Sequence, residues 1–416
     1  MSVHARWFGA VGMAWLVGTG CSLRGTDDLT AGRAADDAPP SPSSDDPPDE
    51  EPPPTCGPGR ATCGGDCVDI TENEDHCGAC NAPCATGGCE QGSCIRVEAN
   101  FQGNAIVADA ADRFYISESH LCQHRLLSFK DEQTPSPPAP FLPPPGVVLV
   151  DGVTVDDRSQ VFFTGLANAP QRPLVMYHYN PDTDELSDEW TESLPLARNL
   201  EQPIQKPIAA GSTALAWATE TGFLARARDG GGGGAGGGGA ARRGIGTDKL
   251  SGGALDGAEP VAAQYWNAPN TEALVWSDGE GLFRMREPIP SASGPISDFN
   301  LAVDSLVWAE GDGDIRLIAD LADDGAASTL ATSETVGRIA LGLQHVYWVA
   351  PVAGGGGVLK RVLRTGGAVE TLHTDPDWAF DALTTTSNHV YWTASRVGSV
   401  CQGRVYRRRL NTPALP

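Results

Sequence analysis

The chain has 416 residues, enough for one large domain with small satellites, and its only transmembrane-like apolar run lies at the N-terminus. Gly (50) and Pro (32) are plentiful, Trp is frequent (10) and Met is scarce (4), a balance that suits short strands joined by turns and not long helices. A formal net charge of −24 excludes nucleic acid as an expected partner, because a phosphate backbone needs a basic surface, and it disfavours docking onto an anionic bilayer by charge.

Residues 1–20 read as an export signal. His4 and Arg6 open it, Trp7 to Val17 form a short apolar core, and Gly18-Thr19-Gly20 precede Cys21. The core is too short to span a bilayer comfortably. A Cys straight after small residues resembles a bacterial lipobox, which implies that Cys21 carries a diacylglycerol; Gly18 departs from the Leu usual three residues before the Cys. Cleavage without lipidation, giving a secreted protein, is the alternative. The count of eleven Cys favours lipidation, since setting Cys21 aside leaves ten that can pair in an oxidising compartment.

Residues 21–55 read as a disordered tether. Paired acids such as Asp45-Asp46 alternate with Pro clusters ending in Pro52-Pro53-Pro54, and little apolar surface is available to repay ordering. Residues 56–95 follow as a small module holding Cys56, Cys63, Cys67, Cys77, Cys80, Cys84, Cys89 and Cys94. Its apolar content is too low for a core, so disulfides must replace burial, and spacing alone leaves their connectivity open. Zinc is the rival, since Cys77-Gly-Ala-Cys80 has ligand spacing beside His76 and Cys84; export and the even count weigh against it. Cys63-Gly-Gly-Asp-Cys67-Val-Asp, His76-Cys77-Gly-Ala-Cys80 and Gly92-Ser-Cys94 together resemble a Cys-rich module that precedes propellers in predicted myxobacterial lipoproteins. That module has no assigned activity to carry over.

From residue 97 to 412 the chain repeats. Each unit has a turn, an apolar strand with an aromatic anchor, a loop and a basic strand. The anchors are Phe114-Tyr115, Phe162-Phe163, Trp217, Trp276, Trp308, Tyr347-Trp348 and Tyr391-Trp392, spaced 32 to 59 residues apart. That range brackets one four-stranded propeller blade. Asp278-Gly279, Asp312-Gly313 and Asp324-Gly325 supply hairpin turns; Leu282-Phe283-Arg284, Ile315-Arg316-Leu317, Leu359 to Val362 and Arg404 to Arg407 supply the following strands. The expected fold is therefore all-β: a β-propeller of seven blades, six being the alternative, behind a small disulfide-rich module. Tyr391-Trp392-Thr393 and Val275-Trp276-Ser277-Asp278 resemble the YWTD-type and TolB-like propeller families, although Ala394 and Glu310 stand where the signature has Asp. Closure of a ring would make its first and last units neighbours, so Cys122 and Cys401 are expected to form a disulfide between them.

No catalytic constellation emerges. The glycine runs at 230–239 and 354–357 lack a following Lys-Ser or Lys-Thr and read as hairpin tips. His120 and His124 flank Cys122, and His345 and His389 recur at matching positions, a repetition typical of blade packing. The acids Asp182, Asp184, Glu185, Asp188 and Glu189 lack EF-hand spacing. The expectation is a non-catalytic, lipid-anchored protein of the cell envelope, outer membrane by preference. It would act as a monomeric platform without cofactor or metal, binding an envelope or extracellular protein or polysaccharide through loops near 130–147, 182–192 and 228–247. Two alternatives stand beside it: a propeller enzyme of lyase, lactonase or glycosidase type, and a spacer whose interacting part is the Cys-rich module. No individual ligand-contact residue is assigned.

Overall fold

The computed structural model describes residues 56–84, 88–99, 101–109, 113–118, 126–129, 140–141, 147–156, 159–167, 174–183, 185–194, 208–210, 214–219, 222–227, 248–249, 262–268, 271–277, 281–284, 287–302, 305–321, 326–399 and 401–410, with Ala111 and Cys122. The export signal, Cys21 and the tether lie outside them. So do the glycine run at 230–239, Asp278-Gly279, Asp324-Gly325, His120, His124, the loop at 228–247 and most of 130–147.

The module contributes two hairpins. Strands β1 (Arg60–Cys63) and β2 (Asp66–Asp69) pair with each other. Strands β3 (Cys89–Glu90) and β4 (Ser93–Ala99) turn through Gln91 and Gly92. Both turn residues have positive φ, 48° and 72°, the backbone twist that a two-residue hairpin needs. Four disulfides take the place of a core: Cys56–Cys67, Cys63–Cys80, Cys77–Cys89 and Cys84–Cys94. Cys77 and Cys80, the pair with zinc-ligand spacing, belong to two different bridges.

Seven further sheets follow among the described residues. Blade one holds β5 (Gly103–Ala108), β6 (Phe114–Glu118), β7 (Leu126–Phe129) and β8 (Pro140–Phe141). Blade two holds β9 (Val147–Val155), β10 (Val161–Ala167), β11 (Leu174–Asn180) and β12 (Glu185–Leu194). Blade three holds β13 (Ile208–Ala210), β14 (Ala214–Thr219), β15 (Gly222–Ala227) and β16 (Asp248–Lys249), and blade four β17 (Ala262–Ala268), β18 (Thr271–Ser277), β19 (Gly281–Arg284) and β20 (Glu287–Ser293). Blade five holds β21 (Ile296–Ala302), β22 (Ser305–Glu310), β23 (Ile315–Ile318) and β24 (Ser328–Ala331), and blade six β25 (Arg338–Leu341), β26 (His345–Pro351), β27 (Gly357–Leu363) and β28 (Glu370–Asp375). Blade seven draws β29 (Trp378–Thr385), β30 (His389–Arg396) and β31 (Gly403–Arg409) from the C-terminus and completes its sheet with β4 and β3 of the module. The first strands touch in order around the ring, and β29 meets β5. The fold is a closed seven-bladed propeller.

Every aromatic anchor lies on the second strand of its blade. Because side chains alternate across a strand, adjacent anchors serve opposite faces. Trp392 packs toward blade six with Leu359 and Leu372, while Tyr391 packs toward blade one with Phe114 and Ile116. Tyr347 and Trp348 divide between blades seven and five in the same way. Blade one is offset by one residue: Phe114 faces blade seven and Tyr115 faces blade two. The glycines at 354–357 turn β26 into β27, and two of them are required sterically. A Cβ on Gly356 would stand 2.3 Å from the Asp375 carbonyl oxygen, and one on Gly357 2.4 Å from the Phe380 ring.

Two expectations need correcting. The boundary between a module ending at 95 and a propeller starting at 97 falls inside β4. That strand pairs with β31 from Ala99↔Gly403 to Cys94↔Arg407, so blade one starts at Gly103. The stretch 182–192, expected as a long loop, is a tight turn followed by β12, the outer strand of blade two, in register Asn180↔Glu185.

Candidate functional site

Most side chains singled out for chemistry serve packing. Trp308, Trp348 and Trp392 are fully buried, so none offers a sugar-stacking surface. His345 and His389 open equivalent strands and lie 5.9 and 5.8 Å from the rings of Tyr347 and Tyr391, tilted alike. Burial, and then Arg361, push His345 below the ordinary histidine range. Asp182 is ion-paired with Arg113 at 2.7 Å, and Asp109 holds the same guanidinium. Cys122 and Cys401 are bonded to each other across 279 residues, fastening blade one to blade seven.

A polar cluster among the described residues was not singled out from sequence. It lies where the module hairpin β3–β4 meets blades six and seven. The alternation of β31 puts Arg404, Tyr406 and Arg408 on one face, toward His373 and Asp375 of β28. Gln91 clamps the hairpin onto β28 like an added strand residue: its Nε2 donates to the Thr374 carbonyl (2.7 Å) and its Oε1 accepts from the Thr374 N–H (3.1 Å). Arg408, 2% exposed, donates to the carbonyls of Gln91 (2.9 Å) and Leu372 (2.6 Å), so one cation joins module, blade six and blade seven. Burial, and then the charge of Arg361, lower its pKa to about 10.

Inside this seam Arg404 donates to both Glu90 carboxylate oxygens (3.1 and 3.3 Å) and to the Tyr406 hydroxyl (3.1 Å), with its guanidinium carbon 4.3 Å from the Trp378 ring centre. The Tyr406 hydroxyl lies 3.2 Å from an oxygen of Glu90 and 3.2 Å from one of Asp375; its single proton can serve only one of them at a time. His373 is 1% exposed, walled by Phe380, Trp392 and Tyr406 at 5.0–5.8 Å. Among the described residues neither of its ring nitrogens has a hydrogen-bond partner. Leaving such a group buried and unpaired costs about 1–3 kcal/mol. Burial, reinforced by Arg408 and Arg404, pushes its pKa down to about 3; the backbone of Glu90 pulls weakly the other way without closing a hydrogen bond. One nitrogen of His373 and one oxygen each of Glu90 and Asp375 lie within 4.8 Å of one another. The local clue in sequence was the period-2 pattern of His373/Asp375 and Arg404/Tyr406/Arg408, but Glu90 stands nearly three hundred residues away from both.

Next to the hairpin lies a cavity of about 120 Å³, bordered by Asn81 and Gly92 from the module and by His389, Arg407, Arg408 and Arg409. It is a basic island in an acidic chain, large enough for a carboxylate or phosphate group.

No protein-family model and no curated protein sequence matches the chain. Among solved structures it is similar to a catalytically inactive virginiamycin B lyase from Staphylococcus aureus with quinupristin, at 11% identity and TM-score 0.45 over 76% of this chain and 98% of that one. It is also similar to the Pan2 WD40 domain of Neurospora crassa (11%, TM-score 0.46, 76% and 91% covered). A third is the Swd1 β-propeller domain from Myceliophteria thermophila (10%, TM-score 0.46, 76% and 99% covered).

A different carboxyl carries the largest upward shift among the described acids. Asp381 sits at a β-bulge on the first strand of blade seven, which turns it toward Ser395, whose hydroxyl donates to Oδ2. Burial raises its pKa from 3.8 to about 7, against the Ser395 bond and the charge of Arg338. A folded-state value above the unfolded one means that the associated stability is complete below pH 3.8 and is lost as pH rises through about 7. Full burial would make this loss about 4 kcal/mol; the side chain is only partly buried, so about 2 kcal/mol is expected. Asp381→Asn should therefore match the parent at pH 4 and be more stable at pH 8, read as the urea midpoint at each pH. An equal difference at both pH values would refute the assignment.

Proposed function

We propose that the chain is a lipid-anchored, non-catalytic protein of the cell envelope, a monomer whose propeller binds an extracellular or envelope protein or polysaccharide. The observation that carries this reading is the double closure of the ring. Blade seven is completed by the module hairpin, and Cys122–Cys401 fastens it to blade one. A scaffold held in this way presents loops from seven blades in fixed relation, which lowers the ordering cost of binding a broad partner. The cavity beside Arg407 and Arg409 offers one place for an acidic group of that partner.

Cysteine use supports the anchor. Five disulfides engage ten of the eleven cysteines, and the remaining one is Cys21, which follows the small residues at the end of the signal. Kinship to the YWTD- and TolB-like propellers belongs to the same proposal, carried by the repeated aromatic anchors and by Asp278 at the signature acid position, where Glu310 and Ala394 depart from it.

The test uses the full precursor, expressed in a lipidating bacterial host. Radiolabelled palmitate should enter the wild type and not Cys21→Ser, and the isolated protein should retain one saturable partner or glycan from envelope extract. No label in either form removes the anchor. Time-dependent cleavage or rearrangement of the retained material would overturn the non-catalytic reading.

A further inference from the structure

The seam between module and propeller holds a feature that binding at the propeller loops does not use. His373 is 1% exposed, and both of its ring nitrogens lack a hydrogen-bond partner among the described residues. An imidazole always carries an N–H or a lone pair that seeks a partner, so a native core seldom leaves both nitrogens idle. The carboxylates of Glu90 and Asp375 point at the same space, each offering an oxygen within 4.8 Å of a His373 nitrogen. The Tyr406 hydroxyl lies 3.2 Å from an oxygen of each acid and can donate to one of them, as outer groups orient ligands in metal sites.

We propose that Glu90, His373 and Asp375 form a site for one divalent first-row transition ion of the zinc class, tying the disulfide module to blade six. The donor set favours that chemistry. One imidazole nitrogen with two carboxylate oxygens is a borderline donor set, better suited to zinc or its neighbours than to calcium, which takes six to eight oxygens. Among the described residues, the acidic group of Glu310, Asp312 and Asp314 has no such buried donor.

The consequence is a third fastening of the ring, after the strand pairing of β4 and the Cys122–Cys401 bridge. Glu90 belongs to β3 and the other two ligands to β28, so an ion there crosslinks module and propeller directly.

The test uses the full exported chain, oxidised and stripped of metal with a chelator. Equilibrium dialysis against Zn²⁺ should give one ion per chain, with a raised melting temperature. Co²⁺ in its place should give visible d–d absorption without a thiolate charge-transfer band. Glu90→Gln and Asp375→Asn, both at partly exposed positions that tolerate an amide, should each weaken Zn²⁺ binding about tenfold or more and abolish the thermal shift. The proposal is overturned if the wild type binds no Zn²⁺, if both variants bind as tightly as the wild type, or if Ca²⁺ binds and Zn²⁺ does not displace it.

Discussion

Replacing Cys122 or Cys401 with Ser should lower stability by about 2–5 kcal/mol, the range for losing a native disulfide. The bridge spans 279 residues, so in the chain-entropy picture its effect on the unfolded state lies toward the upper end. Two features temper this. The ring stays closed by the pairing of β4 with β31, and Cys84–Cys94 keeps β4 tied to the module. In a chain of this size the expected drop in melting temperature is about 3–7 °C. Cys401 adds an internal control, because its φ of 63° lies in the left-handed region that costs most residues about 1–2 kcal/mol and glycine little. Cys401→Gly should therefore lose less stability than Cys401→Ser, while Cys122→Ser should match Cys401→Ser. Reducing agent would open all five bridges and is no substitute for the variants. If all three keep the parental denaturation midpoint, the covalent latch contributes nothing and closure rests on strand pairing alone.

What the sequence makes legible is whatever repeats locally. Runs such as Leu306-Val307-Trp308 and His345-Val346-Tyr347-Trp348 combine β-branched and aromatic residues without helix formers, and each became the second strand of a blade. Asp312-Gly313 became a hairpin turn, Gly313 at φ 93° with no room for a Cβ against the Glu334 backbone. The disulfide partnership of Cys122 and Cys401 could be reached from the repeat itself, since closing the ring brings its end units together.

Contacts that depend on the closed ring, and have no local period, stayed hidden. Nothing in Ser93–Ala99 distinguishes a strand of the module from one of the last blade, because its partner is β31, three hundred residues on. The same separation concealed the cluster of Glu90, His373 and Asp375: each looks ordinary among its sequence neighbours, and only the wedging of β3 against β28 makes them a group. The acidic stretch at 182–192 failed for another reason. Its charge suggested a solvated loop, whereas from Glu185 its backbone pairs along β11 as the outer strand of its blade.

Truncating Trp392 to Ala should cost about 3–5 kcal/mol, because its fully buried ring stacks on Tyr406 at 5.1 Å and fills the space between blades six and seven. A sharper result is expected from Phe, which keeps most of the ring and deletes the indole N–H. Trp308 Nε1 donates to Glu310 Oε1 at 3.2 Å, the residue two positions on that stands where the signature has Asp. The equivalent positions after Trp348 and Trp392 are Ala350 and Ala394, and among the described residues both indole nitrogens are buried without a partner. Trp308→Phe thus loses a hydrogen bond to a carboxylate, whereas Trp348→Phe and Trp392→Phe remove a donor that was costing stability. The volume lost is the same in all three, so it cancels in the comparison. Trp308→Phe should be the most destabilising by about 1–2 kcal/mol in guanidinium titrations at constant m value. The opposite ranking would mean that the acid at 310 does not anchor its blade and that the missing acids at 350 and 394 cost the fold nothing.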